Sequence, residues 1–347
     1  MRAGWRGRVS RVLAGGLSCL LLAAAATAAE PGSARTPLQW LADMQRAVLT
    51  LDYSGSVVLQ RGDEVRASRI LQRVDGASVV QRVQMLDGTP VEFIRHRGAG
   101  VDEVRRYLPD ARRIVIERRV SETRFPTIFG LSPAEIARNY ELKLGPEVRV
   151  AGHTAQVLEL HSRDALRHSY KVWAEQRTGL PLRLLVLEVS KPLELIGFTS
   201  LQIGTKPAPE EMVPAWPTAG WQTVTPAFER VDPAALGWQV VPPPGFELKS
   251  AVLRRLSPGS GGAEPSLQLF FTDGLAQVSV FIESASKLAP AAAGVQGTGA
   301  VSVATRNIGP VRVTAVGEVT AAGALAAAQS VEFRGRPAAA TQGGSSK

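Results

Sequence analysis

The sequence predicts an α+β protein: a large, curved antiparallel half-barrel with covering helices, followed by a smaller C-terminal α+β domain. Three observations carry this. From Tyr53 onward, strand-like runs are interrupted about every 12 residues by Gly- and Asp-bearing turns, the pattern of an antiparallel meander. Two short segments, after Thr36 and after Ser132, have helix-start chemistry. A Pro-rich stretch then separates the meander from a second group of strands that closes on an Ala-rich helix.

The first helix is expected in "TPLQWLADMQRAVLTLDY". Thr36 is placed to cap it and Pro37 takes its first position, while Leu38, Leu41, Met44, Val48 and Leu51 recur at helical spacing. The meander follows as "YSGSVVLQ", "VRASRILQRV", "SVVQRVQML" and "VEFIRHR", with turns at Arg61-Gly62-Asp63, Asp75-Gly76 and Asp87-Gly88. "EVRRYLPDARRIVIERR" repeats the form around Pro109-Asp110. In "SPAEIARNY", Ser132 and Glu135 can make a capping box with Pro133 at the first helical position. Four more strands are expected in "TAQVLELHS", "HSYKVWAE", "LRLLVLEV" and "LIGFTSLQIG", the middle two forming a hairpin around Thr178-Gly179-Leu180-Pro181. A wide sheet of this kind, with helices on its concave side, leaves room for an apolar cavity.

Residues 206–233 contain six prolines and read as a linker with stiff stretches. Trp216 and Trp221 inside it argue that part of it docks on a domain. The second module, residues 234–334, offers "GWQVVPPPGFEL", "VLRRLS", "SLQLFFTDG", "AQVSVFIES" and "VRVTAVGEV" as strands and a hairpin turn at Thr272-Asp273-Gly274. Thr320 caps a closing helix in "AAGALAAAQSVEF". "SPGSGGAEP" and "APAAAGVQGTGA" read as loops, and residues 335–347 as a disordered tail.

Residues 1–29 carry four arginines, a short apolar run and small residues around "ATAAE", which predicts a secretory signal peptide. Its removal would take away Cys19, the one cysteine, so the exported chain would rely on its core and not on disulfides. The formal charge of the whole chain is +9 and of the portion after residue 29 is +5, mildly basic. Only seven of the 40 cationic side chains are Lys. No aromatic and basic motif of the nucleic-acid binders is present, so nucleic acid is not an expected partner.

Chemistry is sparse. His96, His153, His161 and His168 have no metal-ligand spacing, and no nucleophile elbow, P-loop or dinucleotide fingerprint occurs. The acidic pairs at 63–64 and 102–103 fall on strands, where neighbours point to opposite faces, and Glu210 and Glu211 fall in the linker. No catalytic, cofactor or metal site is expected. Binding features are richer. Tyr53, Phe93, Tyr107, Phe125, Phe129, Trp173 and Phe198 lie in the meander domain, either as plain core or as the lining of a lipid site. Arg105, Arg106, Arg112, Arg113, Arg118 and Arg119 share one hairpin, either as a solvated edge or as a cationic stripe for phosphates or acidic peptide, with Arg112 and Arg113 at its turn.

With "LQWLADMQRAVLTLDYSGSVVLQRG", "RFPTIFG", "YKVWAEQRTGLPLR", "FFTDGLAQVSVFIES" and "VRVTAVGEVTAAGALAAAQSVEF" in this order, the chain resembles the MucB/RseB family of periplasmic regulators of an envelope-stress sigma factor. The resemblance covers nearly all of the chain after the leader. It implies a lipoprotein-carrier-like large domain and a periplasmic location. It also implies binding to the exported segment of a membrane anti-sigma factor, protection of that segment from regulatory proteolysis, and displacement by lipopolysaccharide or a related amphiphile. Under it, Trp216, Trp221 and Arg230 are the expected partner-contacting residues, with the linker as hinge; self-association is left open. The "TGLPLR" hairpin is shared with lipoprotein carriers, so a periplasmic lipid or lipoprotein carrier is the alternative, and an enzyme acting on envelope lipids comes third.

Overall fold

The computed structural model describes residues 35–118, 125–126, 130–226, 228–254, 266–284 and 294–335. The expected signal peptide, Phe129, Arg119 and nearly all of the expected tail lie outside these residues.

Helix α1 (Pro37–Thr50) starts as its sequence dictates: Gln39 N–H donates to Thr36 Oγ1 at 3.3 Å, and Thr36 N–H donates to Gln39 Oε1 at 2.7 Å. Its inner face is Trp40, Leu41, Met44, Ala47 and Val48. Leu38, which fits the helical spacing, is 44 % exposed, because Trp40 and not Leu38 lies on the stripe that meets the sheet.

The first meander is β1 (Tyr53–Arg61), β2 (Glu64–Asp75), β3 (Ser78–Met85), β4 (Glu92–Gly98), β5 (Val101–Leu108) and β6 (Arg113–Arg118). After α2 (Pro133–Asn139) comes a second meander: β7 (Tyr140–Val150), β8 (His153–Ser162), β9 (Ser169–Glu175), β10 (Pro181–Glu188) and β11 (Lys191–Ile203). The two meanders join where β1 pairs antiparallel with β11. Among the described residues the large sheet has twelve strands, ending at β7 on one side and at a linker strand, β12 (Gln222–Val224), on the other.

Three sequence expectations are corrected here. Strand β7 was not foreseen: its "LGPE" carries a bulge between Leu144 and Glu147, and most of its side chains are exposed, so neither alternation nor apolar content marks it. The Pro-rich linker, expected to lack regular elements, holds a short 3-10 turn at Pro209–Met212, β12, which pairs parallel with β6, and β13 (Phe228–Arg230). The stretch "APAAAGVQGTGA", expected as loop, contains β18 (Gly294–Thr298), an exposed edge strand.

In the small domain, β14 (Trp238–Val240) stops before Pro242 to Pro244 and stands apart from the main sheet, which β15 (Glu247–Arg254), β16 (Ser266–Thr272), β17 (Gln277–Ser284), β19 (Val301–Ile308) and β20 (Val311–Gly317) build together with β13 and β18. Among the described residues its seven strands run in the order β13-β15-β16-β17-β20-β19-β18. Helix α3 (Ala321–Gln329), capped by Thr320, covers one face, with Leu269, Phe271, Val280, Val313 and Ala315 buried beneath it. The helix was expected to reach Phe333; it stops at Gln329, and β21 (Val331–Phe333) pairs back on β14, with Trp238 opposite Phe333.

The linker is fastened to the convex face of the large sheet. Glu92, fully buried, is ion-paired with Arg82 and accepts the Ala215 N–H at 2.9 Å. Arg82 also donates to the Glu211 carbonyl at 2.6 Å, and Arg73 to the Pro207 carbonyl at 2.7 Å.

The hairpin between β9 and β10 shows why "TGLP" is used. Glu175, buried, accepts from Thr178 N–H and Thr178 Oγ1, both at 2.7 Å, which shapes the turn. Gly179 has φ +79°, and a Cβ there would stand 2.8 Å from Asp43 Cβ on α1. The glycine lets the hairpin touch the helix, and Leu180 and Leu182 follow into the core.

Candidate functional site

A cavity of about 570 Å³ lies between the concave face of the large sheet and the small domain. Strand alternation puts Val57, Ile70, Val83, Phe93, Leu184 and Ile196 on its large-domain wall, and Phe125 adds to it. Phe270, Leu275 and Val316 close it from the small domain. The volume lies within the range of small-molecule sites, and the walls are mostly apolar. Its arginines are engaged: Arg61 donates to Glu194 at 2.7 Å, Arg66 to Glu64 at 2.6 Å, and Arg95 to both oxygens of Asp102 at 2.6 and 2.5 Å.

Beside the cavity runs the seam between the domains, organised on Asp273. This residue is fully buried at the tip of the β16–β17 hairpin. One carboxylate oxygen accepts the backbone N–H of Leu275 at 2.9 Å and of Ala276 at 2.7 Å, which sets the shape of the tip. The other accepts Tyr140 O–H at 2.8 Å and Arg167 Nη1 at 2.5 Å from the large domain. Arg167 further donates to the Pro244 carbonyl at 2.7 Å and to Asp164 at 3.0 Å, and its guanidinium lies 4.7 Å from the centre of the Phe246 ring. Burial pushes the Asp273 carboxyl above its ordinary range, opposed by Arg167, the two backbone N–H groups and Tyr140. Burial first, and the Asp273 charge second, push the Tyr140 phenol well up.

Other bonds stitch the seam. Gly130 N–H donates to the Gly274 carbonyl at 2.7 Å, Asn139 to the Gly245 carbonyl at 3.1 Å, and Thr320 Oγ1 to the Ala165 carbonyl at 2.6 Å. His168, 3 % exposed, has Nε2 at 3.0 Å from the Ala300 carbonyl, so Nε2 carries the proton. Desolvation lowers its pKa. Among the described residues no group of three or more His, Cys, Asp or Glu is placed to hold a metal ion, and no helix is long and apolar enough to cross a membrane.

Residues 36–216 match the family model for the MucB/RseB N-terminal domain, and residues 232–332 match that for the MucB/RseB C-terminal domain. The chain belongs to the MucB/RseB family. It is 31% identical over 330 residues to "Sigma factor AlgU regulatory protein MucB" of Pseudomonas aeruginosa, covering 94% of this chain and 98% of that protein. Over 167 residues it is 27% identical to "Sigma-E factor regulatory protein RseB" of Salmonella typhimurium, 47% of this chain and 51% of that one. Among solved structures it is similar to MucB in complex with MucA(peri), with 29% identity and a TM-score of 0.66, covering 86% of this chain and 100% of that chain. The crystal structure of MucB gives 28% identity and a TM-score of 0.60 over 85% of this chain and 96% of that one.

In this MucB/RseB chain the aromatic and basic residues singled out in the sequence fall in five places. Phe93 and Phe125 line the cavity. Tyr53 and Phe198 are core: Tyr53 O–H bonds Gln72 at 3.1 Å, and the two rings meet edge to face at 6.0 Å. Tyr107 pairs with Glu92 across β4 and β5 and shares its convex face, and Trp173 alternates away from Tyr170 and Val172, with Arg183 5.6 Å from its ring. Arg112 and Arg113 stand at the β5–β6 turn, away from the cavity, and hold β12: the Arg112 carbonyl accepts Gln222 N–H at 2.9 Å, and Arg113 donates to the Gln222 side chain at 3.3 Å. Trp216 and Trp221 are half-buried in the linker, and Arg230 is exposed on β13. Sequence reasoning missed Arg167, Asp273 and Tyr140, with a Thr-Asp-Gly turn signal as the one trace of Asp273; His168, read from the sequence as a surface or turn histidine, is instead buried in the seam.

Proposed function

We propose that this chain is a periplasmic regulator that binds the exported segment of a membrane anti-sigma factor, shields it from regulatory proteolysis, and lets it go when lipopolysaccharide or a related amphiphile binds. The observation that carries the reading is the likeness, over the full length of that chain, to MucB in complex with MucA(peri). The bound segment would run along the linker and the domain seam, where Trp216, Trp221 and Arg230 are the candidate contacts, and self-association of the regulator is compatible with the same surface. The amphiphile would place its alkyl chain in the cavity, where each buried methylene contributes about 0.8 kcal/mol. Its phosphates would have to compete for arginines that already have carboxylate partners. No step of this function needs a catalytic group.

The test is calorimetric titration of the purified protein with the exported segment of the cognate anti-sigma factor, with and without lipopolysaccharide. Binding that lipopolysaccharide abolishes supports the regulator. A second reading, a periplasmic lipid or lipoprotein carrier, draws on the cavity alone. It predicts no binding of that segment and a stoichiometric lipid on the purified protein.

A further inference from the structure

The cavity and the seam share one element. On the β16–β17 hairpin, Leu275 is 5 % exposed and packs with Trp40, Leu41, Tyr140 and Tyr170 of the large domain, while also lining the cavity. Two residues earlier, Asp273 joins the tip of that hairpin to Arg167 and Tyr140. The same carboxylate thus sets the shape of the tip and anchors it. Both charged side chains, Arg167 and Asp273, are wholly buried.

A seam held in this way responds differently from one held by aliphatic packing. Apolar surfaces slide with gradual loss of contact, whereas a buried ion pair depends on close geometry and loses its strength once water enters. Opening is then close to all or none.

We propose that the β16–β17 hairpin is a stopper in the mouth of the half-barrel, latched by Asp273 on Arg167 and Tyr140, so that an alkyl chain enters the cavity only when the domains part. This rests on the amphiphile reading above. By linkage, whatever needs the closed seam is weakened by a ligand that keeps it open, and by the same factor in reverse. The hairpin is the physical element both would act on.

Two variants and two readouts test it, with dansyl-undecanoic acid as probe. Asp273→Asn removes the latch charge and keeps its shape; Leu275→Ala trims the stopper and keeps the latch. Uptake is followed by stopped-flow fluorescence, and seam opening by amide exchange at Gly130, whose N–H is bonded to Gly274 across the seam. Asp273→Asn is expected to speed both at least tenfold. Leu275→Ala, which removes packing that holds the seam, is expected to speed uptake at least fivefold and exchange at Gly130 in the same proportion; uptake that rises with exchange unchanged overturns the stopper, and this variant decides the matter alone should Asp273→Asn fail to fold. Uptake by the parent protein that neither variant changes overturns the stopper and leaves the amphiphile reading standing. No uptake by parent or variants, with exchange at Gly130 still responding, overturns both.

Discussion

Arg167 and Asp273 face each other across the domain seam with 2.5 Å between Nη1 and Oδ2 and no exposure of either side chain. Neither charge has water to fall back on. Removing one leaves the other buried and uncompensated, a loss of about 3–5 kcal/mol. Arg167→Met should therefore lower the urea midpoint sharply and separate the unfolding of the two domains into two transitions. Tyr140→Phe, which removes one neutral donor, should cost about 1–2 kcal/mol and keep a single transition.

His168 gives the seam a pH dependence of known sign. Its folded pKa is depressed by burial below the ordinary 6.5, so the unfolded chain binds the proton first as pH falls. The stabilisation is complete above about pH 6.5 and is lost as pH drops from there towards the folded value. His168→Gln should flatten the stability profile below about pH 6.5, removing a slope of at most about 1.4 kcal/mol per pH unit. An unchanged slope in thermal or urea unfolding would assign the dependence to other groups.

Gly179 combines a left-handed backbone with contact against α1. Gly179→Ala should cost about 2–4 kcal/mol, part strain and part overpacking. Gly62, also at positive φ but with nothing within 4 Å of the added carbon, separates the two contributions: its Ala variant should lose only about 1 kcal/mol.

Ser68 lies on β2 at the cavity wall. Ser68→Phe should fill part of the 570 Å³ and weaken dansyl-undecanoic acid at least tenfold while leaving the far-ultraviolet spectrum unchanged. Undiminished binding would move the alkyl chain elsewhere.

Glu92 fastens the linker through Ala215 N–H. Glu92→Ala should free residues 213–217, and limited proteolysis there should accelerate before any cut in the sheets. Protection equal to that of the parent would mean that Met212 and β12 hold the linker without it.

Much of this architecture was legible, and the gaps have physical reasons. Strands β1 to β6 and β8 to β11 announce themselves because turn residues are spaced regularly and apolar residues alternate where one face is covered. Strand β7 escapes because Gly145 and Pro146 sit in a bulge of an edge strand, and β18 because all five of its residues are exposed. The linker hides a strand that depends on tertiary pairing with β6. Tyr107 and Trp173 are indistinguishable in sequence from Phe93 until alternation is counted from a fixed register. The seam was least readable, since a buried Arg and Asp look in sequence like the loop residues they would be in isolation.

The pairing of β14 with β21 has a mechanical consequence. After β13 the chain runs into the two-stranded pairing at Trp238 and leaves the small domain at Phe333, and these two residues are opposite each other. A pull between the linker and the C-terminus is borne by three residue pairs and an edge-on contact of two rings where β14 meets β21, and by the three pairs of β13 with β15 at the edge of the seven-stranded sheet. Under such a load the ends would unzip while the body of the domain stayed whole, so the domain can be tugged, labelled or fused at that point with little disturbance to the face it turns to the cavity.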